Sequence, residues 1–333
     1  MNSYERYMNV MNNKPVDFIP RVPILMLFAA EYINSDYEFL SKDFNVLVEA
    51  NRKCAEDFGF EQLSCICDSA REMHGFGAEV QYHKNLPPTA HRILEDSKDL
   101  SQLKKVDPYK SERMFDIINA CGLYKKKFYK EYSILGWVEG PACLAAELRG
   151  MCNYMMDTFD DEAYICNLMD ICLKAAIDFA RAQCKAGCDT IGVGDAVVSQ
   201  LSPDLYERII LPREKILTNA IHDMGAYVKL HICGNITNHL DAISSLGIDI
   251  IDIDHMVDIK RVRDKLGSKV AITGNLDPVA DIMNGTPQKI RDSFKRIYDL
   301  VGNPYMVNAG CEIPSGTPIE NLRALCKPIE YQK

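Results

Sequence analysis

The chain has 333 residues, 47% of them hydrophobic and 26% charged, with a formal net charge of −9. This is the composition of an ordinary packed protein, not of a disordered or fibrous one, and its acidic balance disfavours non-specific binding to nucleic acid or an anionic membrane, both of which need a basic surface. No apolar run reaches the roughly 18 residues of a membrane span, and the polar start MNSYERYMNVMNNKPVD lacks the basic flank and apolar stretch of a secretory signal.

Along the chain, Asn2 to Asn13 reads as helical, and so does most of Glu31 to Glu61. Strand-length apolar runs follow at Ile19–Leu25, Gln62–Ile66, Ser133–Val138, Thr190–Val193, Val228–His231, Ile250–Ile253, Val270–Thr273 and Tyr305–Ala309. Lys98–Tyr132 reads as a charged helical insertion before the third of these. Between the later strands, helical periodicity marks Glu162–Ala186, Pro203–Met224, Asn238–Leu246, Ile259–Leu266, Pro287–Val301 and Pro318–Leu325. Ser202-Pro203-Asp204 and Thr317-Pro318 are readable starts, and Gly187 and Gly247 readable stops.

Strands alternating with helices predict an α/β fold with a parallel sheet. Eight strands fit a (β/α)8 TIM barrel as one domain over 1–333, with residues to about 60 forming a partly helical N-terminal extension. A doubly wound open sheet shares this periodicity. The Gly-rich dinucleotide fingerprint that would favour it after the first strand is not present.

In a barrel, function gathers where the strands end and the βα loops begin. Those ends read Cys65-Ile66-Cys67-Asp68, Trp137-Val138-Glu139-Gly140-Pro141, Gly194-Asp195, His231-Ile232-Cys233-Gly234, Asp254-His255, Gly274-Asn275-Leu276-Asp277 and Gly310-Cys311-Glu312. His231 and Cys233 stand two apart, so on an extended strand both point to one side and can share a metal. Cys311 ends the eighth strand and faces the same pocket in a closed barrel. One His and two Cys with a position left open suit a catalytic zinc rather than a closed structural one; alternatively these are ordinary strand-end residues. Cys65-x-Cys67 has the same spacing without a nearby His and reads as buried packing. The chain has 13 cysteines and no export signal, which points to the cytosol, where thiols stay reduced. Cys121, Cys166, Cys172 and Cys184 sit among apolar residues in helical patterns and read as core. Glu139, Asp195 and Asp68 each serve either as a fourth ligand or acid–base group, or as a cap for a helix or loop. His255 and Asp254 follow the Asp-rich strand Asp249-Ile250-Ile251-Asp252-Ile253 and are placed to line the pocket.

Taken in order from about Phe58 to Leu325, these motifs resemble the uroporphyrinogen decarboxylase superfamily, and within it the zinc-dependent, corrinoid-linked methyltransferases. The carrying residues are Val138-Glu139-Gly140-Pro141, Gly194-Asp195, Leu230-His231-Ile232-Cys233-Gly234, Gly274-Asn275-Leu276-Asp277-Pro278 and Asn308-Ala309-Gly310-Cys311-Glu312-Ile313-Pro314. The resemblance implies that His231, Cys233 and Cys311 are zinc ligands. It also implies that Glu139, Asp195 and Asp68 are catalytic, and that Asn275, His255 and Trp137 contact substrate. The decarboxylase branch carries an Arg-rich N-terminal signature and a His in the last Gly-rich motif. Here those places hold Arg21-Val22-Pro23-Ile24-Leu25-Met26-Leu27 and Cys311, which argues against decarboxylation. Asp68 matches the decarboxylase acid, before a comparable Gly77-Ala78-Glu79-Val80.

The expected function is movement of a methyl group between a small methylated substrate and the cobalt of a corrinoid. Similarity of Gly136-Trp137-Val138-Glu139-Gly140-Pro141 to O-demethylase-like members favours a methoxylated substrate; transfer to a coenzyme M-like thiol is the alternative. No Asp-x-His-x-x-Gly corrinoid motif is present, so the cobalamin is expected on a separate partner protein. A homodimer is compatible with the sequence. Two other classes stay open: a metal-free decarboxylase, predicting an electropositive pocket, and a non-catalytic metal or metabolite binder, predicting zinc without methyl transfer.

Overall fold

The computed structural model describes residues 1–332. Strand β1 (Gln62–Ser64) is followed by a small antiparallel hairpin, β2 (Val80–Gln81) with β3 (Thr89–Ala90), and then by β4 (Ser133–Glu139), β5 (Thr190–Gly194), β6 (Tyr227–Ile232), β7 (Ile250–Ile253), β8 (Ala271–Gly274) and β9 (Tyr305–Met306). Leaving the hairpin aside, the other seven form one parallel sheet in the order β1-β4-β5-β6-β7-β8-β9. Their burial on both faces is what near-continuous apolar runs require.

The expected first strand, Ile19–Leu25, is reduced to a single parallel bridge between Arg21 and Val307. Pro20 and Pro23 lack the N–H that a ladder needs. Even so, the segment joins the two edges of the sheet: Val22 N–H donates to Val307 O (2.8 Å), Val307 N–H to Pro20 O (2.7 Å), and Glu61 N–H to Arg21 O (2.9 Å). The curled sheet is thereby closed into a barrel-like ring of seven strands and one irregular stave.

Helices occupy the crossovers. Glu112–Phe128, within the segment expected as an insertion, is the helix that links β1 to β4, while Glu162–Ala186 links β4 to β5. The expected helix Pro203–Met224 is broken by a π turn at Tyr206–Ile210. Pro212 explains the break, since without an N–H it cannot bond Arg208 four residues back. Asn238–Leu246 shrinks to a 3-10 turn, Thr237–His239, and the single helical turn Leu240–Ile243. Ser202, Asp161 and Thr286 cap the helices that follow them, each accepting a backbone N–H.

The first helix, Ser3–Met11, stoppers the N-terminal end of the barrel. Tyr7 and Val10 pack with Val22, Ile250, Ala271 and Met306 in a separate small core, and the Tyr7 hydroxyl lies 2.8 Å from Thr190 Oγ1 at the foot of β5. Behind it the fully buried Glu61 carboxylate bonds Arg6 (2.8 Å) and Arg21 (2.7 Å). Among the described residues no helix is long and apolar enough to cross a membrane.

Candidate metal centre and active site

A cavity of about 310 Å³ opens at the C-terminal ends of the strands, the end at which barrels place their chemistry. His231 and Cys233, at the end of β6, meet Cys311 from the loop after β9. Nε2 of His231 is 3.0 Å from Cys233 Sγ and 3.7 Å from Cys311 Sγ, and the two sulfurs are 3.6 Å apart. Among the described residues this is the one group of three or more His, Cys, Asp or Glu close enough to hold a metal ion.

Two sides of the triangle match zinc, and the third, His231 to Cys233, is about 0.5 Å short. Bond lengths of about 2.3 Å to sulfur and 2.0–2.1 Å to nitrogen in a tetrahedron separate the ligand atoms by about 3.8 Å (S to S) and about 3.5 Å (N to S). The electrostatics divide the two sulfurs, because the neighbouring Cys311 and burial push the Cys233 thiol well up. Cys233 and His231 stabilise the Cys311 thiolate and draw it down to about 4. His231, against its burial, is drawn up to about 10 by Asp252 and Cys311. The cluster thus favours a positive charge at its centre, which a cation supplies in place of the imidazole proton.

Behind His231 the support is specific. Nδ1 lies 3.3 Å from Asp252 Oδ2, within ion-pair reach but without the alignment of a hydrogen bond; this carboxylate has no exposure and accepts from Asn308 Nδ2 at 3.0 and 3.1 Å. Burial opposes ionisation of Asp252, but Lys229, His231 and Asn308 hold it down to about 2. A carboxylate beside the far nitrogen favours the tautomer that leaves the Nε2 lone pair free for a metal ion.

On the opposite wall, Trp137 lies across the bare backbone of β5. A Cβ on Gly192 would stand 2.2 Å from the indole and one on Gly194 2.9 Å, so glycine at both positions makes the berth. The ring sits 6.2 Å from that of His231, and its Nε1 donates to Glu139 Oε1 at 3.1 Å. Glu139 belongs to a group of buried acids. Burial, then Glu147 and Glu72, push its carboxyl well up; burial likewise raises Glu72 to about 8 and Glu147 to about 7. Glu147, on helix Pro141–Arg149, lines the cavity with Oε2 buried and unpartnered among the described residues.

Asp68 also lines the cavity but is ionised and fixed. Burial opposes its charge, and Arg71 and Arg113 outweigh it, Arg113 through two 2.8 Å bonds. Asp195 lies behind the wall, where it accepts from the backbone N–H of Cys143 (2.7 Å) and Ala142 (3.3 Å) at the start of helix Pro141–Arg149.

Of the nine residues expected at the site, the cavity brings together six: Asp68, Trp137, Glu139, His231, Cys233 and Cys311. Asp195, Asn275 and His255 are not among its lining. Asn275, in left-handed conformation (φ 84°), braces the loop after β8 through Asp254 O (3.0 Å) and Val257 O (2.7 Å). His255 pairs with Asp254 (2.9 Å) and Asp277 (3.5 Å). Glu72, Glu147 and Lys229 were not picked out from sequence, and Asp252 and Asn308 stood in stretches singled out there but without an assigned role. For Asp252 the signal was an acid facing inward from a barrel strand. Cys65 is buried against Cys121, with sulfurs 3.4 Å apart.

A model of the uroporphyrinogen decarboxylase (URO-D) family matches residues 2–330 of the chain. Two similar curated proteins are methylcobamide:CoM methyltransferases MtbA. That of Methanosarcina acetivorans is 29% identical over 340 residues, covering 99% of this chain and 98% of its own. That of Methanosarcina mazei is 30% identical over 330 residues, covering 96% and 95%. Among solved structures, a methyltransferase from Methanosarcina mazei matches with a TM-score of 0.88 over 98% of this chain and 97% of its own, at 21% identity, a likeness of fold.

Proposed function

The chain belongs to the uroporphyrinogen decarboxylase family, and from that membership we propose that it is a corrinoid-dependent methyltransferase that holds zinc through His231, Cys233 and Cys311. It moves a methyl group between a small methylated substrate and the cobalt of a separate corrinoid protein. The observation that carries this reading is the convergence of one imidazole and two thiols on a single cavity at the strand ends.

Zinc in that position supplies Lewis acidity toward an oxygen or sulfur of the substrate. The chain's own residues do the rest. Ile24, Met26, Ile66, Pro87 and Trp137 give the cavity apolar walls that exclude water and hold a small neutral molecule against the metal ligands. The arginine-bound Asp68 contributes fixed charge rather than a transferable proton. Glu139 and Glu147, raised by burial, keep their protons further toward neutral pH than ordinary acids.

That proton inventory favours the methoxylated substrate. When a methyl group leaves a methoxy oxygen, the oxygen keeps the bonding pair and needs a proton, which Glu139 is placed to give. A second reading, methylation of a thiol, draws on the activity in the names of the two MtbA relatives; a thiol acceptor must lose a proton and has no use for a neutral acid. The test is to incubate the zinc-loaded protein with a Co(I) corrinoid protein and a panel of methyl ethers, methanol, methylamines and methyl thiols, following cobalt methylation by absorbance. Methylation from an ether supports the first reading. Methyl transfer only to or from a thiol supports the second, and none in either direction despite stoichiometric zinc sinks both.

A further inference from the structure

Lys229 stands two residues before His231 on β6 and so shares its face of the strand. It is 1% exposed. Its Nζ lies 3.3 Å from Asp252 Oδ2, the same oxygen that lies 3.3 Å from His231 Nδ1, and it has no well-formed hydrogen bond among the described residues. An ammonium so fully desolvated is costly unless a counter-charge holds it, and the same is true of the carboxylate it faces.

We propose that Lys229 is a positioning residue of the metal centre: its ammonium balances Asp252, so that the carboxylate can stand fully buried against Nδ1 of His231 and keep Nε2 turned toward Cys233 and Cys311. The inference rests on the metal reading given above. Charge counting supports it. Two thiolates and a divalent cation sum to zero, and Asp252 adds one negative charge in a low-dielectric interior, which Lys229 cancels. Asn308, the other group on this carboxylate, is neutral and can orient it but cannot balance it. Without Lys229 the carboxylate keeps only the neutral Asn308 contacts; its charge is then unbalanced, and the imidazole is free to turn away from the sulfurs.

The test compares wild type, K229M, D252N and the double variant K229M/D252N, with zinc affinity read by chelator competition and ligand geometry by the absorption spectrum of the cobalt(II)-substituted protein. Each single variant strands one buried charge, and each should weaken zinc binding by about 10–100-fold, the usual scale for outer-shell partners of a metal-bound His, and alter the cobalt bands. In the double variant no charge is stranded and the Asn carbonyl still faces His231 Nδ1. It should therefore bind at least about tenfold more tightly than either single variant. K229M with wild-type affinity and spectrum, or single-variant losses that simply multiply in the double variant, overturns the inference while leaving the zinc reading intact. A wild-type chain that takes up no zinc overturns the proposed function first, and this inference with it. Should K229M fail to fold, the double variant still decides: it must fold and outbind D252N.

Discussion

Replacing Gly192 by alanine probes the wall of the cavity without touching a metal ligand. The new Cβ would lie 2.2, 2.5 and 3.2 Å from three carbons of the Trp137 indole, where contact distances are about 3.5–4.0 Å. The ring must withdraw by more than an ångström. Overpacking of this kind costs about 1–3 kcal/mol, and loss of the indole N–H bond to Glu139 adds about 1–3 kcal/mol for a buried donor left unpaired. A combined loss of about 2–6 kcal/mol corresponds to a fall in Tm of roughly 3–9 °C for a chain of this size. The assay has a built-in reporter, because Trp137 is the chain's single tryptophan. Its emission should shift as the ring leaves its berth, with zinc content unchanged. An emission maximum and Tm indistinguishable from wild type, to within about 1 °C, would refute the packing described for this wall.

Four further outcomes are expected. Cys311→Ser should lower zinc affinity by more than the roughly 10–100-fold of an outer-shell change, measured by metal analysis after dialysis; unchanged metal content would remove Cys311 from the ligand set. Glu139→Gln keeps an acceptor for Trp137 but holds no transferable proton, so ether demethylation should fall by about 10²–10⁴-fold while any thiol reaction is spared; equal loss of both would deny Glu139 the donor role. Asp68→Asn leaves Arg113 and Arg71 buried without their counter-ion and should cost about 3–5 kcal/mol in urea unfolding. Glu72, almost fully buried, has a folded pKa raised to about 8 from an ordinary 4.5. Between those values the folded state binds more protons than the unfolded one, so this group's contribution to stability declines as pH rises through that window, by at most about 1.4 kcal/mol per pH unit. Glu72→Gln should flatten the fall in stability between pH 5 and 8, and a slope identical to wild type would show that Glu72 ionises normally.

The barrel was legible because alternation of strand and helix is a property of local sequence, and all seven strands of the long sheet fall where expected. The first expected strand illustrates the limit. Ile19–Leu25 has the apolar content of a strand, but its prolines forbid the ladder, and only the long-range bridge to Val307 shows that it still closes the ring. His231 and Cys233 were readable as a pair because a strand's two-residue repeat is local. Cys311, 78 residues beyond Cys233, needed the closed ring to bring it within 3.6 Å. Strand-end position alone did not separate Glu139, which faces the cavity, from Asp195, which turns back to serve a helix. The choice is made by Gly140, where a Cβ would collide with the Asp195 carboxylate at 2.2 Å. Glu147 sits within an unremarkable amphipathic helix, and nothing in its spacing reveals that the helix end tips it into the cavity.

The stoppered foot of the barrel has a kinetic corollary. With the strand interiors packed and Tyr7 and Val10 wedged beneath them, the cavity has no route through the foot of the barrel and is approached from the strand ends. If a bulky partner must present its cobalt at those strand ends, the two callers take turns: the small molecule is seated before the partner arrives, and its product is released only after the partner departs. Steady-state kinetics should then show compulsory order, set by a foot that is packed shut far from the chemistry.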